Sequence, residues 1–375
     1  MSYSQWATEK LYLDNDDYYR DLIQEVDSAH HSIDMEVFTF EDGVLARRLL
    51  ETFKQAIARG VSVRLITDGW GSPLFWETIG PQLEAAGVKI RLHRSLPWRR
   101  INRHSHGEPR SRIGKFWFRL RRINRGFHRK VTLIDRRIAW VSSLNVTDVH
   151  LKEVYGKNAW ADVGARFTGQ AVGILGHAFD RAFYRRRWLL FAPPPPSSLI
   201  LLNDSFFRRR RTMFVQKRRL KRAQRRIWIQ TPYFVPERSL LRALYHAAKR
   251  KIDIKVLIPE KNDQPIVKIL TFALLGQLIR KGIRIFEFQP RFAHKKVLMV
   301  DHIHTIGSTN FNHRSFLHDL EVEVHLSLPE NRALLEKSFQ DDLTESIEIT
   351  REWIRSKPWW YRVLGRVLFF MRYWC

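Results

Sequence analysis

Apolar and polar positions along this chain run through one succession of elements twice. "SIDMEVFTF" (32–40) and "RIWIQTPYF" (226–234) are alternating or apolar runs that predict strands. Leucines and alanines at helical spacing follow in "VLARRLLETFKQAIARG" (44–60) and "SLLRALYHAAKRK" (239–251). Alternation returns in "VSVRLITD" (61–68) and "IDIKVLIP" (252–259), and again in "AAGVKIRLH" (85–93) and "RKGIRIFEF" (280–288). Each succession closes on a further strand-like run, "GFHRKVTLID" (126–135) and "FAHKKVLMVD" (292–301). Strand, helix, strand, helix, strand and a closing strand, met twice, predict an internally duplicated α/β architecture.

The two halves differ in length. Gly87 and Gly282 are 195 positions apart, whereas the closing runs are offset by 166, so the first half carries about 29 extra residues. That insertion, roughly 94–127, holds 11 Lys or Arg and one acid, Glu108. Between the halves lies "APPPPSS" (192–198), whose four prolines exclude helix and predict a stiff connector. The expected organisation is a first half over 1–191, the connector, a second half over 199–350 and a C-terminal tail over 351–375.

Composition sharpens this picture in two respects. A 44% hydrophobic fraction suffices for a buried core, and the single cysteine, Cys375, excludes an internal disulfide framework or a Cys-rich metal site. The net charge of +27 predicts association with polyanions, either nucleic acid or an anionic lipid surface. A second basic run, "RRRRTMFVQKRRLKRAQRR" (208–226), has 11 Lys or Arg in 19 residues and is expected to form an anion-facing surface beside the site. The polar, acidic N-terminus does not read as a signal peptide, and no stretch is apolar for long enough to predict a spanning helix.

The closing runs carry the chemistry. His128 and Lys130 are two apart, as are His294 and Lys296, so on a strand each pair shares a face. Asp135 and Asp301 complete the His-x-Lys-x4-Asp motifs. They lie five positions past the lysines, off that face and where the strand should turn, so a turn-bracing role is expected for them. The chain then returns through "AWVSSLN" (139–145) and "TIGSTN" (305–310). A hairpin there would bring Ser143 and Asn145, and Ser308 and Asn310, beside the His-Lys pairs as phosphate-binding donors. One such motif arises by chance in roughly 4% of chains with this many histidines, taking Lys and Asp at about 5% each. Two at equivalent positions of a repeat, each followed by Ser-x-Asn, are not accidental. Two half-sites set face to face would suit a phosphodiester. Lysines and amides neutralise the non-bridging oxygens, one imidazole attacks phosphorus and the other protonates the leaving alcohol, with no metal or cofactor.

These motifs resemble the phospholipase D superfamily. "INRGFHRK" (123–130), "WADVGARFTG" (160–169), "IQTPYFVPERSLLRAL" (229–244) and "GSTNFNHRSFLHDLEVEV" (307–324) are similar to bacterial cardiolipin synthases that lack N-terminal membrane helices. The resemblance implies two tandem pseudo-symmetric repeats, each a mixed β-sheet flanked by helices, with the active site at their interface. It implies a catalytic set of His128, Lys130, Asp135, His294, Lys296 and Asp301, acting through a covalent phosphohistidine. By analogy His128 would be the nucleophile and His294 the general acid, then base, although the near-symmetry leaves the reverse assignment open. Glu321 matches the carboxylate that orients a histidine in that family, and Asp162 is its counterpart in the first half. Where the family usually has a glycine-rich pair after the first motif, this chain has Ser142–Ser143, whose side chains would narrow the pocket.

The implied reaction converts phosphatidylglycerol to cardiolipin with release of glycerol. Water as acceptor would instead make phosphatidic acid, and the superfamily also contains nucleases. The segment "KPWWYRVLGRVLFFMRYWC" (357–375) separates lipid from nucleic acid, because its aromatic rings and one-sided arginines suit an interfacial helix at an anionic membrane. Docking of that helix on the chain's own core is the competing reading. The expected partner is therefore a membrane containing phosphatidylglycerol and cardiolipin, met peripherally on the cytoplasmic face, rather than nucleic acid. His302, His304, His313 and His318 cluster near the second motif but lack metal-ligand spacing. Cys375 lacks a prenylation signature.

Overall fold

The computed structural model describes residues 5–94, 111, 125–184, 198–358 and 367–368. The first half forms strands β1 (Thr8–Tyr12), β2 (Ser32–Glu36), β3 (Ser62–Thr67), β4 (Lys89–Leu92), β5 (Val131–Ile134), β6 (Ile138–Ser142) and β7 (Gly164–Thr168). The second half forms β8 (Ile200–Leu202), β9 (Arg226–Gln230), β10 (Asp253–Pro259), β11 (Arg284–Phe288), β12 (Val297–Val300), β13 (Ile303–Gly307), β14 (Val322–His325) and β15 (Ser346–Glu348). Spatial order is β1-β7-β6-β5-β2-β3-β4 in one sheet and β15-β11-β10-β9-β12-β13-β14-β8 in the other. Reversing the second order superimposes the two, with β15 as an extra edge strand beside β11. Parallel pairing in β2–β3–β4 and β9–β10–β11 joins antiparallel hairpins, so both sheets are mixed as expected.

Both faces of each sheet are covered, and the strands read as apolar runs for that reason. Helices Asn15–Asp27 and Val44–Ala58 share one apolar cluster with Val63, Leu65 and Ile134 of the first sheet. Helices Arg238–Lys249 and Pro265–Arg280 share another with Ile229, Val256 and Ile285 of the second. The third cluster spans the halves. It joins Val131, Val141 and Phe167 to Trp228, Val297 and Met299, with helices Val172–Tyr184 and Pro329–Thr344 contributing Leu175, Phe179, Leu335 and Phe339. The duplicated units are thus held as one body through a common core.

Several boundaries differ from the sequence expectation. The runs 32–40 and 226–234 leave their sheets at Glu36 and Gln230, and the closing run 292–301 enters its sheet only at Val297. Residues 292–296 are extended but pair with the other half: the Ala161 N–H donates to Phe292 O at 2.9 Å, and the His294 N–H to Ala161 O at 2.7 Å. The matching bridge joins Leu320 N–H to Gly126 O at 2.8 Å and His128 N–H to Leu320 O at 3.0 Å. The connector 192–197 and most of the insertion 94–127 lie outside the described residues. So does most of 357–375, although Leu368 packs against Val235, Val267 and Leu270 of the chain itself.

Candidate active site

The two inter-half bridges build the site. Each motif histidine follows a residue locked to the opposite half, and the residue after each bridging partner is a carboxylate. His128 Nδ1 lies 3.1 Å from Glu321 Oε2 and 3.0 Å from Ser308 O. His294 Nδ1 lies 2.7 Å from Asp162 Oδ1. The orienting contacts therefore cross, each carboxylate serving the histidine of the other half. A ring whose Nδ1–H is held this way presents Nε2 as its reactive nitrogen.

The lysines lie with their histidines as the spacing predicted. Lys296 Nζ donates to His294 Nε2 at 2.8 Å and to His294 O at 2.9 Å, and Lys130 Nζ donates to His128 O at 2.8 Å. The intervening residues point the other way into buried ion pairs, Arg129 with Glu36 at 2.6 Å and Lys295 with Asp342 at 2.6 Å. The two histidines are not equivalent. Nε2 of His294 is occupied by Lys296, whereas among the described residues nothing hydrogen-bonds Nε2 of His128, whose side chain remains 11% exposed.

Burial sets the protonation states. It carries Lys130 down to about 8 and Lys296 to about 7. It lowers His294 to about 3, with Lys296 adding to the effect, and His128 falls well below its ordinary value for the same reasons. Glu321 is pushed up to about 7 by burial. Burial would raise Asp162 too, but His294 and His150 outweigh it and hold that carboxyl well below the usual range. In the free enzyme kcat/KM should fall as pH rises through about 7 to 8, because the depressed lysines lose their charge there. A bound phosphate anion raises both lysine pKa values, so the alkaline limb of kcat should lie at higher pH than that of kcat/KM. Coincident limbs in a pH-rate series would contradict this assignment.

Two sets of sequence-predicted residues are placed elsewhere. Ser143 and Ser308 do not present hydroxyls to a phosphate. The Ser143 hydroxyl donates to Asp162 Oδ1 at 2.6 Å and accepts from the Val163 N–H at 3.0 Å, while the Ser308 hydroxyl donates to Glu321 and accepts from the Val322 N–H at 3.1 Å. Both side chains are fully buried and position the carboxylates. Asp135 and Asp301 lie at the far ends of β5 and β12, away from the histidines, so the motif's aspartates are not in contact with reacting groups. Asp135 accepts from the N–H groups of His30, His31 and Ser32, and Asp301 from those of Gln224, Arg225 and Arg226, at 2.7 to 3.1 Å. Asp301→Ala strips three strand-entry donors of a charged acceptor. It is expected to cost about 1–3 kcal/mol in urea unfolding, with kcat nearly unchanged. A collapse of kcat at unchanged stability would contradict the bracing role.

Asn145 and Asn310, the other expected phosphate donors, are both nearly buried. Asn145 Oδ1 accepts from the Thr39 N–H at 3.2 Å, and Asn310 Oδ1 is buried with no partner among the described residues. Ser142, expected to narrow the pocket, is a buried β6 residue paired with Gly164. The equivalent pair in the other half is Gly307 with Glu323. The glycine has moved to the neighbouring strand, where an added Cβ would come within 2.4 Å of the Tyr18 ring.

Sequence reasoning missed His150, Ser315 and Asn203. His150 is fully buried, its Nε2 accepts from the Asn145 N–H at 3.1 Å, and its Nδ1 lies 2.9 Å from Asp162 Oδ2. Ser315 occupies the same place in the second half: its hydroxyl accepts from the Asn310 N–H at 3.3 Å and donates to Glu321 Oε1 at 2.6 Å. Both lie five residues past the motif asparagine, a coincidence the repeat alignment contained. Asn203 Nδ2 donates to Ser315 O at 2.6 Å and its Oδ1 receives the Glu321 N–H. Among the described residues no group of three or more His, Cys, Asp or Glu is arranged to hold a metal ion, and no helix is long and apolar enough to cross a membrane.

Paired half-sites on a duplicated mixed-sheet scaffold define a tandem phospholipase D-like protein. The family described as "Cardiolipin synthase, PLD-like domain" matches residues 22–159 and 217–343, and the chain belongs to that family. It is 27% identical over 368 residues to a cardiolipin synthase of Halalkalibacterium halodurans, covering 95% of this chain and 70% of the relative. Identity to a cardiolipin synthase of Staphylococcus aureus is 26%, over 94% of this chain and 70% of that one. In fold it is similar to phosphatidylserine synthase of Haemophilus influenzae, with a TM-score of 0.70 at 12% identity over 98% of this chain and 94% of that chain.

Proposed function

We propose that this chain is a phosphatidyltransferase that makes cardiolipin from two molecules of phosphatidylglycerol through a phosphohistidine. The observation that carries the proposal is the crossed arrangement of the two histidines, each with Nδ1 held by a carboxylate of the opposite half and a lysine alongside. The free Nε2 of His128 favours this residue as the nucleophile. It attacks phosphorus, the bond from phosphorus to the headgroup glycerol oxygen breaks, and His294 delivers the proton that releases glycerol. The phosphate's negative charge raises the His294 pKa when substrate is bound, which supports its protonated form at that step. In the second step neutral His294 takes the proton from the terminal hydroxyl of another phosphatidylglycerol. That oxygen attacks phosphorus, the bond to His128 breaks, and the enzyme is restored. Lys130, Lys296 and the amides of Asn145 and Asn310 meet the non-bridging oxygens as charge gathers.

The family and its named relatives support phospholipid chemistry, and the basic charge supports work at an anionic bilayer, with the protein attached peripherally on the cytoplasmic side. The test is incubation with vesicles of headgroup-labelled phosphatidylglycerol and separation of the products. Cardiolipin and glycerol in equal amounts are expected. Phosphatidic acid alone would make the chain a hydrolase, and cleavage of DNA without any lipid product would replace the reading with a nuclease.

A further inference from the structure

Helix Phe206–Arg222 follows β8 at the edge of the second sheet. Its start lies near the catalytic end, where Arg209 donates to His318 O at 2.9 Å and Asn203 holds Ser315. Its C-terminal end lies beside Asp301, at the opposite end of β12 from His294. Seven residues of extended chain separate those two, on the order of 20 Å. The basic run 208–226 is therefore beside the site only at its beginning. At its far end, between the helix, the β12–β13 turn and helix Pro329–Thr344, a groove of about 930 Å³ opens.

Six arginines line this groove against two carboxylates. Neither carboxylate neutralises the exposed arginines, because Asp301 is held by three backbone N–H groups and Glu336 is taken by Arg226 and His304. The side chains of Arg218, Arg222 and Arg225 are exposed, and their guanidinium groups carry no hydrogen bond or ion pair among the described residues. Deeper in the groove, Nη1 of Arg219 is buried and has no partner among the described residues, while Nη2 is fixed against His325 Nε2 at 2.8 Å. A buried guanidinium nitrogen left unsatisfied is costly, and a phosphate oxygen would satisfy it. The lining is also partly apolar, through Val215 and Ile303, and Phe214 stands 59% exposed on the helix face.

We propose that this groove is a second binding site, separate from the catalytic pair, for the phosphate headgroup of an anionic phospholipid. Guanidiniums take the phosphate, and the Phe214 ring enters the interface beside it. Arginines around an apolar lining fit a headgroup attached to a bilayer better than a free inorganic anion, which offers nothing to the exposed phenylalanine. The inference goes beyond the proposed reaction and does not depend on which phosphatidyl transfer the histidines perform.

The test uses the full chain and flotation with phosphatidylcholine vesicles containing phosphatidylglycerol. Each cation near an anionic surface contributes on the order of fivefold in binding. Arg218→Gln/Arg222→Gln/Arg225→Gln should therefore bind roughly 100-fold more weakly than the native chain. Arg242→Gln/Lys249→Gln/Arg250→Gln, which removes the same charge from another exposed surface, should lose far less. Because the three substituted side chains have no partners among the described residues to lose, the variant should fold with an unchanged Tm. An independent readout leaves the groove arginines intact: with Cys375→Ser, Phe214→Cys carries a polarity-sensitive fluorophore, whose emission should shift to the blue on phosphatidylglycerol vesicles only. Equal loss in both triple variants, or an unshifted label on bound protein, overturns the proposal. So does displacement of the vesicles by millimolar inorganic phosphate, which would assign the groove to the free anion. Binding of duplex DNA but not vesicles, lost in the groove variant, overturns it in favour of nucleic acid.

Discussion

His128→Ala is expected to lower kcat for phosphatidyl transfer by at least about 10⁴-fold, since it removes the atom that would bond to phosphorus. His294→Ala should cost about 10²–10⁴-fold, the usual contribution of a general acid or base. The two losses should differ in kind. A substrate whose leaving group is p-nitrophenol needs no proton to depart, so with His294→Ala the first step should be largely restored. The second step still lacks its base, and a covalent phosphatidyl-enzyme should accumulate as a burst. With His128→Ala no leaving group helps, and no covalent species should form. Rescue and a burst in His128→Ala, with neither in His294→Ala, would reverse the assignment. That outcome would mean that the hydrogen bond from Lys296 to His294 Nε2 is exchanged for substrate before chemistry, leaving His294 as the free nucleophile.

The duplicated α/β succession and the His-Lys pairs were legible because each is a short-range pattern, whereas the mixed pairing of the sheets came only with the family resemblance. Strand and helix periodicity repeats at a fixed offset, and two residues on one extended segment share a face whatever that segment packs against. The turn-bracing role of Asp135 and Asp301 followed from the same parity and agrees with their left-handed φ of 51° and 52° at the hairpins. The crossing of the orienting carboxylates was not legible. Whether Asp162 serves His128 or His294 depends on the bridges from 161 to 293 and from 320 to 127, which join residues more than 100 positions apart. The serine error has a similar origin. A hydroxyl at the end of a returning strand looks like a phosphate donor until the carboxylate from the next strand is placed against it. His150 was hidden for a different reason: its equivalent is Ser315, a different side chain making the same contact to a backbone N–H and a carboxylate, so only positional equivalence and not residue type marks it.

That substitution within the repeat makes the two carboxylates unequal, and the inequality predicts the second large effect. Asp162 is fully buried between His294 and His150 and stays ionised. Asp162→Asn can present its NH₂ to the His294 ring, which would invert the tautomer and put the proton on the nitrogen that must accept one. Loss of a tautomer-fixing carboxylate at a catalytic histidine costs on the order of 10⁴-fold in kcat where it has been measured in serine proteases. A loss of about 10³–10⁴-fold is expected here. Glu321 receives hydroxyl hydrogens from both Ser308 and Ser315, and burial already lifts its pKa to about 7. Near neutrality it is partly protonated, so Glu321→Gln removes a smaller difference and should cost at least tenfold less than Asp162→Asn. Raising the pH should widen the native enzyme's advantage over Glu321→Gln, because ionised Glu321 gains hold of His128 as pH rises through about 7. The ratio for Asp162→Asn should stay flat over the same range, since Asp162 is ionised throughout. Thermal unfolding of both variants separates this from a folding defect: a Tm shift common to both leaves the pH dependence of the activity ratio untouched. Equal losses with parallel pH profiles would show that the two carboxylates act alike, and the distinction between nucleophile and acid would then have to come from the substrate.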